Sequence, residues 1–354
     1  MADIYVNYGT DIVAMVGELM QTADIAAKIK SAAKVCIKPN LVIASTAEGG
    51  ATTHPEIVEG IIIYLQQAGV KDITIAEGSW VGDSTRRAYD RCGYNALGVK
   101  YGVRLVDTKQ DKVISKRVNG TEFFVCETIE NCDYLINVPV LKGHCQTIMT
   151  CCLKNMKGCI PDKEKRRFHA AGLHKPIATL NTLIKPDLNI VDSICGDLNF
   201  EEGGNPVQTN RIMLGFNSVL LDSYGAGLMG YRPDEIEHLR LAREYGVGEY
   251  YGPETEILEL GTDNKPAVIP ARGGTVKRLA ANIQEDSACS ACYAALIFAL
   301  KKTGYKGEKI KIGQGYKDKT PGGIGVGNCT AGCANHVKGC PPSAVEIVKF
   351  LENM

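Results

Sequence analysis

The sequence predicts an α/β protein: a mixed, mostly parallel, Rossmann-like sheet with helices on both faces, plus a small cysteine-rich α/β module at the C-terminal end. Three observations carry this expectation. β-rich runs alternate with helical patterns through the first two-thirds of the 354 residues, the order that builds a parallel sheet covered on both sides. A Pro- and Gly-rich stretch at about 262–274 then interrupts the alternation. Beyond it, CSAC (289–292) and CTAGCANHVKGCPP (329–342) concentrate five thiols in a short span. The expected units are residues 1–265 and 275–354.

The elements follow in order. DIYVNY reads as a strand, and residues 12–30 as one amphipathic helix. KVCIKPNLVI is a β-rich run that ends at a Pro-Asn turn. HPEIVEGIIIYLQQAG has proline in its first turn and glycine at its end, the usual polarity of a helix. DITIAEGSW is a strand with a polar loop after it, STRRAYDRCG a short helix, and VRLVDT a further strand. VISKRVNGTEFFVCET is two strands joined by Asn-Gly, a hairpin turn. DYLINVPVLK is a buried strand, and TIMTCCLKNMKG is expected to be a helix ending in glycine. PDLNIVDSI and RIMLGFN are two more strands, followed by helices at SVLLDSYGAGLMG and PDEIEHLRLAREYG. In the module, a helix at CSAC, a strand KIKIGQGY, a Gly-rich loop PGGIGVGN and a final helix SAVEIVKFLENM are expected. No internal repeat or low-complexity stretch interrupts this order.

Composition narrows the class of function. Hydrophobic residues make up 45% and the formal charge is zero, so no net basic field favours nucleic acid or an anionic membrane. The cluster KEKRRFH (163–169) reads as a solvated face or a small anion site. MADIYVNYGTDIVAMVGE lacks the long apolar run of a secretory signal, and IVEGIIIYLQQAGV is too short and interrupted to span a bilayer. A cytoplasmic location is expected. In a reducing compartment the 14 cysteines are poor disulfide candidates, so clustered ones read as thiolate ligands.

Cys289 and Cys292 form a C-x2-C pair, and Cys329, Cys333 and Cys340 follow. The last is succeeded by proline, a habit of iron–sulfur ligand runs. Small neighbours such as Ser290, Ala291 and Gly339 let backbone amides approach inorganic sulfide. These residues lead to one [4Fe–4S] cluster on Cys289, Cys292, Cys329 and Cys340, with Cys333 as substitute or spare. A structural zinc ion is the competing occupant. Cys145, Cys152 and Cys159 recur every seven residues. On a helix they would share one face and, with Cys151, read as small packing residues.

Polar motifs gather where strands are expected to end, and ligands of open α/β sheets bind at those carboxyl ends. Lys38, Lys142, Lys154 and Lys157 could converge with His54 and His144 into an anion pocket, faced by Glu77 and Asp192. Lys142, His144 and His54 are the expected catalytic groups. No nucleophilic triad is visible, and the glycine runs near 313–328 lack the lysine of a phosphate loop.

Taken together, KPN, TTHPE, AEGS, VPVLKGH, LKNMKG, FH, KPDLNIVDSI and LDSYGAGLMG resemble the family of domain of unknown function 362, in order from about residue 33 to 232. The resemblance implies motif residues at Lys38, Asn40, His54, Glu77, Lys142, His144, Lys154, Asn155, Lys157 and Asp192. It also implies an iron–sulfur association, since relatives often carry a ferredoxin-like module. The tail departs from that pattern, with a split C-x2-C and C-x3-C-x6-C-P-P in place of a compact ligand run.

The function expected from all this is an iron–sulfur redox enzyme or electron-transfer protein. It would take a small anionic substrate or ligand and a ferredoxin-type electron partner, with no nucleic acid or membrane involved. A cluster-dependent lyase, a cluster carrier and a structural zinc protein are the alternatives.

Overall fold

The computed structural model describes residues 2–31, 33–265 and 275–354. Sixteen strands are found among them: β1 (Ile4–Tyr8), β2 (Lys34–Pro39), β3 (Asp72–Glu77), β4 (Arg104–Asp107), β5 (Val113–Val118), β6 (Thr121–Cys126), β7 (Tyr134–Val138), β8 (Lys142–His144), β9 (Ile148–Thr150), β10 (Leu188–Asp197), β11 (Pro206–Gly215), β12 (Ile257–Leu260), β13 (Ile283–Glu285), β14 (Ile310–Ile312), β15 (Ile324–Val326) and β16 (Asn335–Val337).

Eight of them form one sheet in the order β12-β1-β11-β10-β7-β2-β3-β4. From β10 to β4 every neighbour is parallel. β11 runs antiparallel to both β10 and β1. The link from β10 to β11 is a short loop, too short for the crossover that a parallel pairing needs. The fold class is the expected one: a mixed, mostly parallel sheet between helices.

Strand alternation shows how both faces are buried. Val35 and Ile37 enter one core with Val16, Leu19, Ile57 and Ile61, from the helices Ile12–Thr22 and Pro55–Gln67. Cys36 between them enters the other core with Leu153, Ile177, Leu180, Val219 and Leu239. Ile190 and Val191 divide in the same way. Each fully buried side chain of this size contributes ~1.5–3 kcal/mol, so the pleat is the main source of stability here.

The module has its own core. Leu296, Ile297 and Leu300 of the helix Ser290–Thr303 pack with Ile310, Ile312, Ile324, Val326, Ile347 and Leu351. Its four strands form a second, parallel sheet in the order β13-β14-β15-β16. Phe200, from the β10–β11 loop, joins this core. The final helix, Ala344–Glu352, starts with the capping box Ser343/Glu346.

Several sequence expectations change. Residues 12–30 are a helix that stops at Thr22 and a separate 3-10 turn, Ile25–Lys28, because Asp24 adopts the left-handed conformation (φ 49°). Residues 94–101 add a helix that the sequence reading passed over. TIMTCCLKNMKG is not one helix. Ile148–Thr150 is β9, paired with β8, and a helix spans only Cys152–Asn155 before a 3-10 turn. Cys145, Cys152 and Cys159 therefore share no helical face. The Gly-rich loop contains β15. The expected domain boundary falls largely on 266–274, outside the described residues.

Candidate functional site

The parallel strands β2, β3 and β7 end on one side of the sheet, and polar motifs sit on those ends. Lys38 and Pro39 close β2, Glu77 closes β3, and Asn137 lies near the end of β7. The helix Cys152–Asn155 brings Asn155 above them. Lys38 is 1% exposed. Its Nζ donates to Glu77 Oε2 at 2.8 Å, Asn155 Oδ1 at 2.9 Å and the Pro39 carbonyl at 2.8 Å. Its three protons thus have three acceptors, as a buried ammonium requires. Asn155 Oδ1 also accepts from Asn40 Nδ2 at 2.7 Å, and Asn155 Nδ2 donates to Asn137 Oδ1 at 2.8 Å. Gly158 is needed here because any Cβ would collide with Glu77 Oε1 and Lys38 Nζ.

This network forms one wall of a cavity. Lys38, Asn40, Glu77, Lys154, Asn155 and Lys157 all line it, together with Gly78, Trp80, Val81, Thr150, Gly158, Lys165, His169 and Glu201. Cys289, Ser290 and Ala291 of the module complete the enclosure. Lys154 faces Glu201 at 3.4 Å. Lys165 donates to the carbonyls of Gly78 and Ser79, both at 2.9 Å. Burial lowers the basicity of Lys154 and Lys165. Lys157 lines the cavity and is half-buried. Burial, followed by the repulsion of Lys154, pulls Lys157 down to about 7. Its Nζ lies 3.3 Å from His169 Nε2. Burial and Lys157 hold His169 well below the usual histidine range, so the ring is neutral, and where Lys157 donates to Nε2 the proton sits on Nδ1.

Four expected site residues do not line the cavity. His54 precedes the helix Pro55–Gln67, and both its Nδ1 and its backbone N–H bind Asp192 Oδ2 at 2.8 Å. Burial opposes the charge on His54, but Asp192 outweighs it and raises His54 to about 11. Lys142 points behind the cavity, where it donates to the carbonyls of Ala51 and Glu201. Burial lowers it to about 7. His144 Nδ1 accepts the backbone N–H of Gln146 and Thr147, both at 3.1 Å, and Nε2 faces Glu201 Oε2. Burial lowers His144 to about 3, so the ring is neutral. His54 and Asp192 lock a helix start, while Lys142 and His144 support Glu201 from behind.

Glu201 was missed by the sequence reading, and so were Thr150, Trp80 and the enclosed part of Lys165. KEKRRFH is not simply a solvated face: Lys165 and His169 are 4% and 7% exposed and turn inward. The helical period of 162–170, with Lys165 and His169 four apart, was the available signal. Glu201 sits in the loop after β10, where no periodicity marks a direction.

A second cavity adjoins the first. Cys289, Cys292, Cys329 and Cys340 line it with Arg166, Gly313, Gly327, Asn328 and Gly339. Val81, Cys289 and Ala291 belong to both cavities. Burial and the neighbouring thiols push Cys289 and Cys329 up, and Cys292 up to about 12. Cys333 is buried elsewhere, against Gly325. Two thiolates on one tetrahedral zinc ion, each ~2.3 Å from the metal, stand ~3.8 Å apart. No three of the tail sulfurs lie within 4.8 Å of one another; among the described residues only Cys151, Cys152 and Asp222 form such a group. The four thiols border one cavity without forming a group as tight as one tetrahedral ion takes. The Cys151/Cys152/Asp222 group is a helix start instead: Asp222 accepts the N–H of Cys152 at 2.7 Å and of Leu153 at 3.1 Å. The module docks through the loop after β3, where Gly82 (φ +104°) lets Pro341 approach.

The signature described as "Domain of unknown function (DUF362)" matches residues 35–227, more than half of the chain. The chain belongs to this family. The family region holds every charged side chain of the lysine cavity and ends before the tail cysteines. The chain is 27% identical over 190 residues to the thylakoid-associated protein sll1697 of Synechocystis, covering 51% of this chain and 56% of that protein. Two solved structures are similar. The lactate racemase apoprotein from Thermoanaerobacterium thermosaccharolyticum has a TM-score of 0.41 at 12% identity, over 64% of this chain and 56% of the other. A Thermotoga maritima protein has a TM-score of 0.39 at 13% identity, over 67% and 60%. The chain thus spans less than two-thirds of the length of each. Among the described residues no helix is long and apolar enough to cross a membrane.

Proposed function

We propose that this chain is an iron–sulfur protein, a redox enzyme or electron-transfer protein with one [4Fe–4S] cluster beside a pocket for a small anion. The observation that carries the reading is the shared wall: Cys289 borders both the thiol-lined cavity and the lysine-lined one. Cys289, Cys292, Cys329 and Cys340 would hold the cluster. Bound there, it would supply single electrons at the edge of the lysine cavity.

The chain's own residues have separate tasks in this reading. Lys154, Lys157 and Lys165 attract the anion and offset negative charge that develops on it. Lys38, Glu77 and Asn155 keep the cavity floor rigid, so little reorganisation accompanies binding. His169 holds a proton at Nδ1 and stands within reach of Lys157. Trp80 and Val81 limit water access from the β3 side. Cys340 is the exposed member of the four thiols, which makes its side the natural approach for a ferredoxin-type partner.

The test is metal and sulfide analysis of anaerobically purified protein, with electron paramagnetic resonance before and after dithionite. Broad absorbance near ~400 nm, of the kind iron–sulfur centres show, is expected. Cys340→Ser should remove most of it, whereas Cys152→Ser should leave it intact. Stoichiometric zinc without iron, or equal behaviour of the two variants, would overturn the proposal.

A further inference from the structure

We infer that the lysine cavity binds a compact dianion of about five to seven non-hydrogen atoms, a phosphoryl group or a short dicarboxylate, gripped between Lys157 and the start of the helix Ser290–Thr303. The inference rests on the pocket half of the reading above and narrows its ligand. Charge is the first reason. Lys38, Lys154, Lys157 and Lys165 line the cavity against two carboxylates, Glu77 and Glu201. Counted as formal charges, four positive less two negative leaves a surplus of two. Lys38 is matched by Glu77 and Lys154 by Glu201. The carboxylate nearest Lys165, Asp162, lies 3.6 Å away and is shared with Lys109. Lys157 has no carboxylate within 4.0 Å among the described residues, and its hydrogen-bond partner is a neutral imidazole. A half-buried lysine without a counter-ion holds its proton poorly unless a ligand supplies the opposite charge.

Unsatisfied polar atoms are the second reason. Thr150 Oγ1, Asn40 Oδ1 and His169 Nδ1 are buried without a hydrogen-bond partner, on residues 1%, 4% and 7% exposed. All three residues line this cavity. Buried polar atoms are rarely left unpaired. A hydroxyl and a ring N–H suit anionic oxygens, and the Asn40 oxygen suits a ligand O–H. Hydrogenphosphate offers both kinds of atom, whereas oxalate offers acceptors only.

The module supplies the third reason. Cys289 is the N-cap of the 14-residue helix and makes no side-chain cap bond. Ser290 and Ala291, its first residues, line the cavity. Their end of the helix carries free amides and the positive pole of the backbone dipole. Size agrees. The cavity measures about 70 Å³, several times the ~10–15 Å³ that one water needs. His169 also borders an outer cleft with His174, Glu285 and Asp286.

The test is isothermal titration calorimetry on the iron-loaded, anaerobic full chain at fixed ionic strength, with inorganic phosphate, oxalate and acetate. Phosphate and oxalate should bind once per chain, with acetate at least ~10-fold weaker. The order of the first two separates a phosphoryl from a carboxylate ligand. Lys157→Met should weaken phosphate by ~10- to 100-fold, Lys157→Arg should recover most of it, and Lys100→Met on the surface should change nothing. If Lys157→Met does not fold, Thr150→Val decides, because its hydroxyl has no protein partner to lose. That variant should weaken phosphate ~3- to 10-fold. Acetate matching phosphate, unchanged affinity in the variants, or binding confined to iron-free protein would overturn the inference. Absorbance of the same samples tracks the cluster independently. Colourless protein that still binds phosphate refutes only the cluster, and coloured protein that binds no dianion refutes only this inference.

Discussion

His54 and Lys142 look alike in the sequence, as basic residues in Gly-, Thr- and Pro-rich motifs, yet their surroundings push them in opposite directions. Burial works against both charges. Asp192 rescues the charge on His54 and raises it to about 11, while among the described residues no carboxylate contacts the Lys142 ammonium, which falls to about 7. The pH consequences are opposite. A histidine raised above its ordinary ~6.5 contributes stability that is complete below that pH and fades as pH climbs toward the folded value. His54→Ala should therefore lose ~3–5 kcal/mol at pH ~6 and clearly less at pH ~10, read by urea unfolding. A depressed lysine carries a penalty that is full below pH ~7 and gone above ~10.4. Lys142→Met should then be better tolerated in acid than in alkali, measured the same way. A matching slope for both would contradict the two environments described. At this scale the motif residues were legible because charged side chains at strand ends have few alternatives to a shared site. Their individual roles were not. Whether a lysine meets a carboxylate, as Lys38 meets Glu77, or only carbonyls, as Lys142 does, depends on contacts 39 to 91 residues away in the chain.

Among the elements, the strands of the main sheet and the long helices follow their periodicity, and β5–Asn-Gly–β6 forms the hairpin its turn demands. The failure at 142–159 is instructive. TIMTCCLKNMKG reads as a helix ending in glycine, but His144 accepts two turn amides and fixes a tight β8–β9 hairpin instead. A short apolar run carries no information that separates the two outcomes. Glycine marks two other decisive places. Gly158→Ala drives a methyl into the Lys38–Glu77 pair and should lower stability by ~1–3 kcal/mol in thermal or urea unfolding. Gly82→Ala combines a strained φ with contact to Pro341 Cδ at 2.9 Å. It should loosen the module while sparing the sheet. Hydrogen exchange should quicken in the helix Ser290–Thr303 and stay slow in β2 and β7; unchanged exchange in the helix would show that docking does not depend on this loop.

For the molecule as a whole, the sequence pattern led to the layered sheet and to a distinct cysteine-rich tail, but not to how they join. The edge order β12-β1-β11 arises from long-range pairing between the two ends of the first 265 residues, which local pattern does not encode. Phe200 packing into the module and Cys289 facing the lysines are equally non-local. If the tail thiols hold a cluster, stripping iron with a chelator should raise exchange of the amides around Cys289, Cys329 and Cys340. The β10 amides should remain protected, because metal binding and local folding are coupled only where the ligands are. Equal protection with and without iron would separate the metal from the module's order.

Val81, Cys289 and Ala291 border both chambers. Were an electron to travel from the sulfur-lined chamber to a guest in the basic one, it would have only this shared wall to cross. Separation would then hardly limit the rate, and the relative energies of donor and acceptor would set the pace.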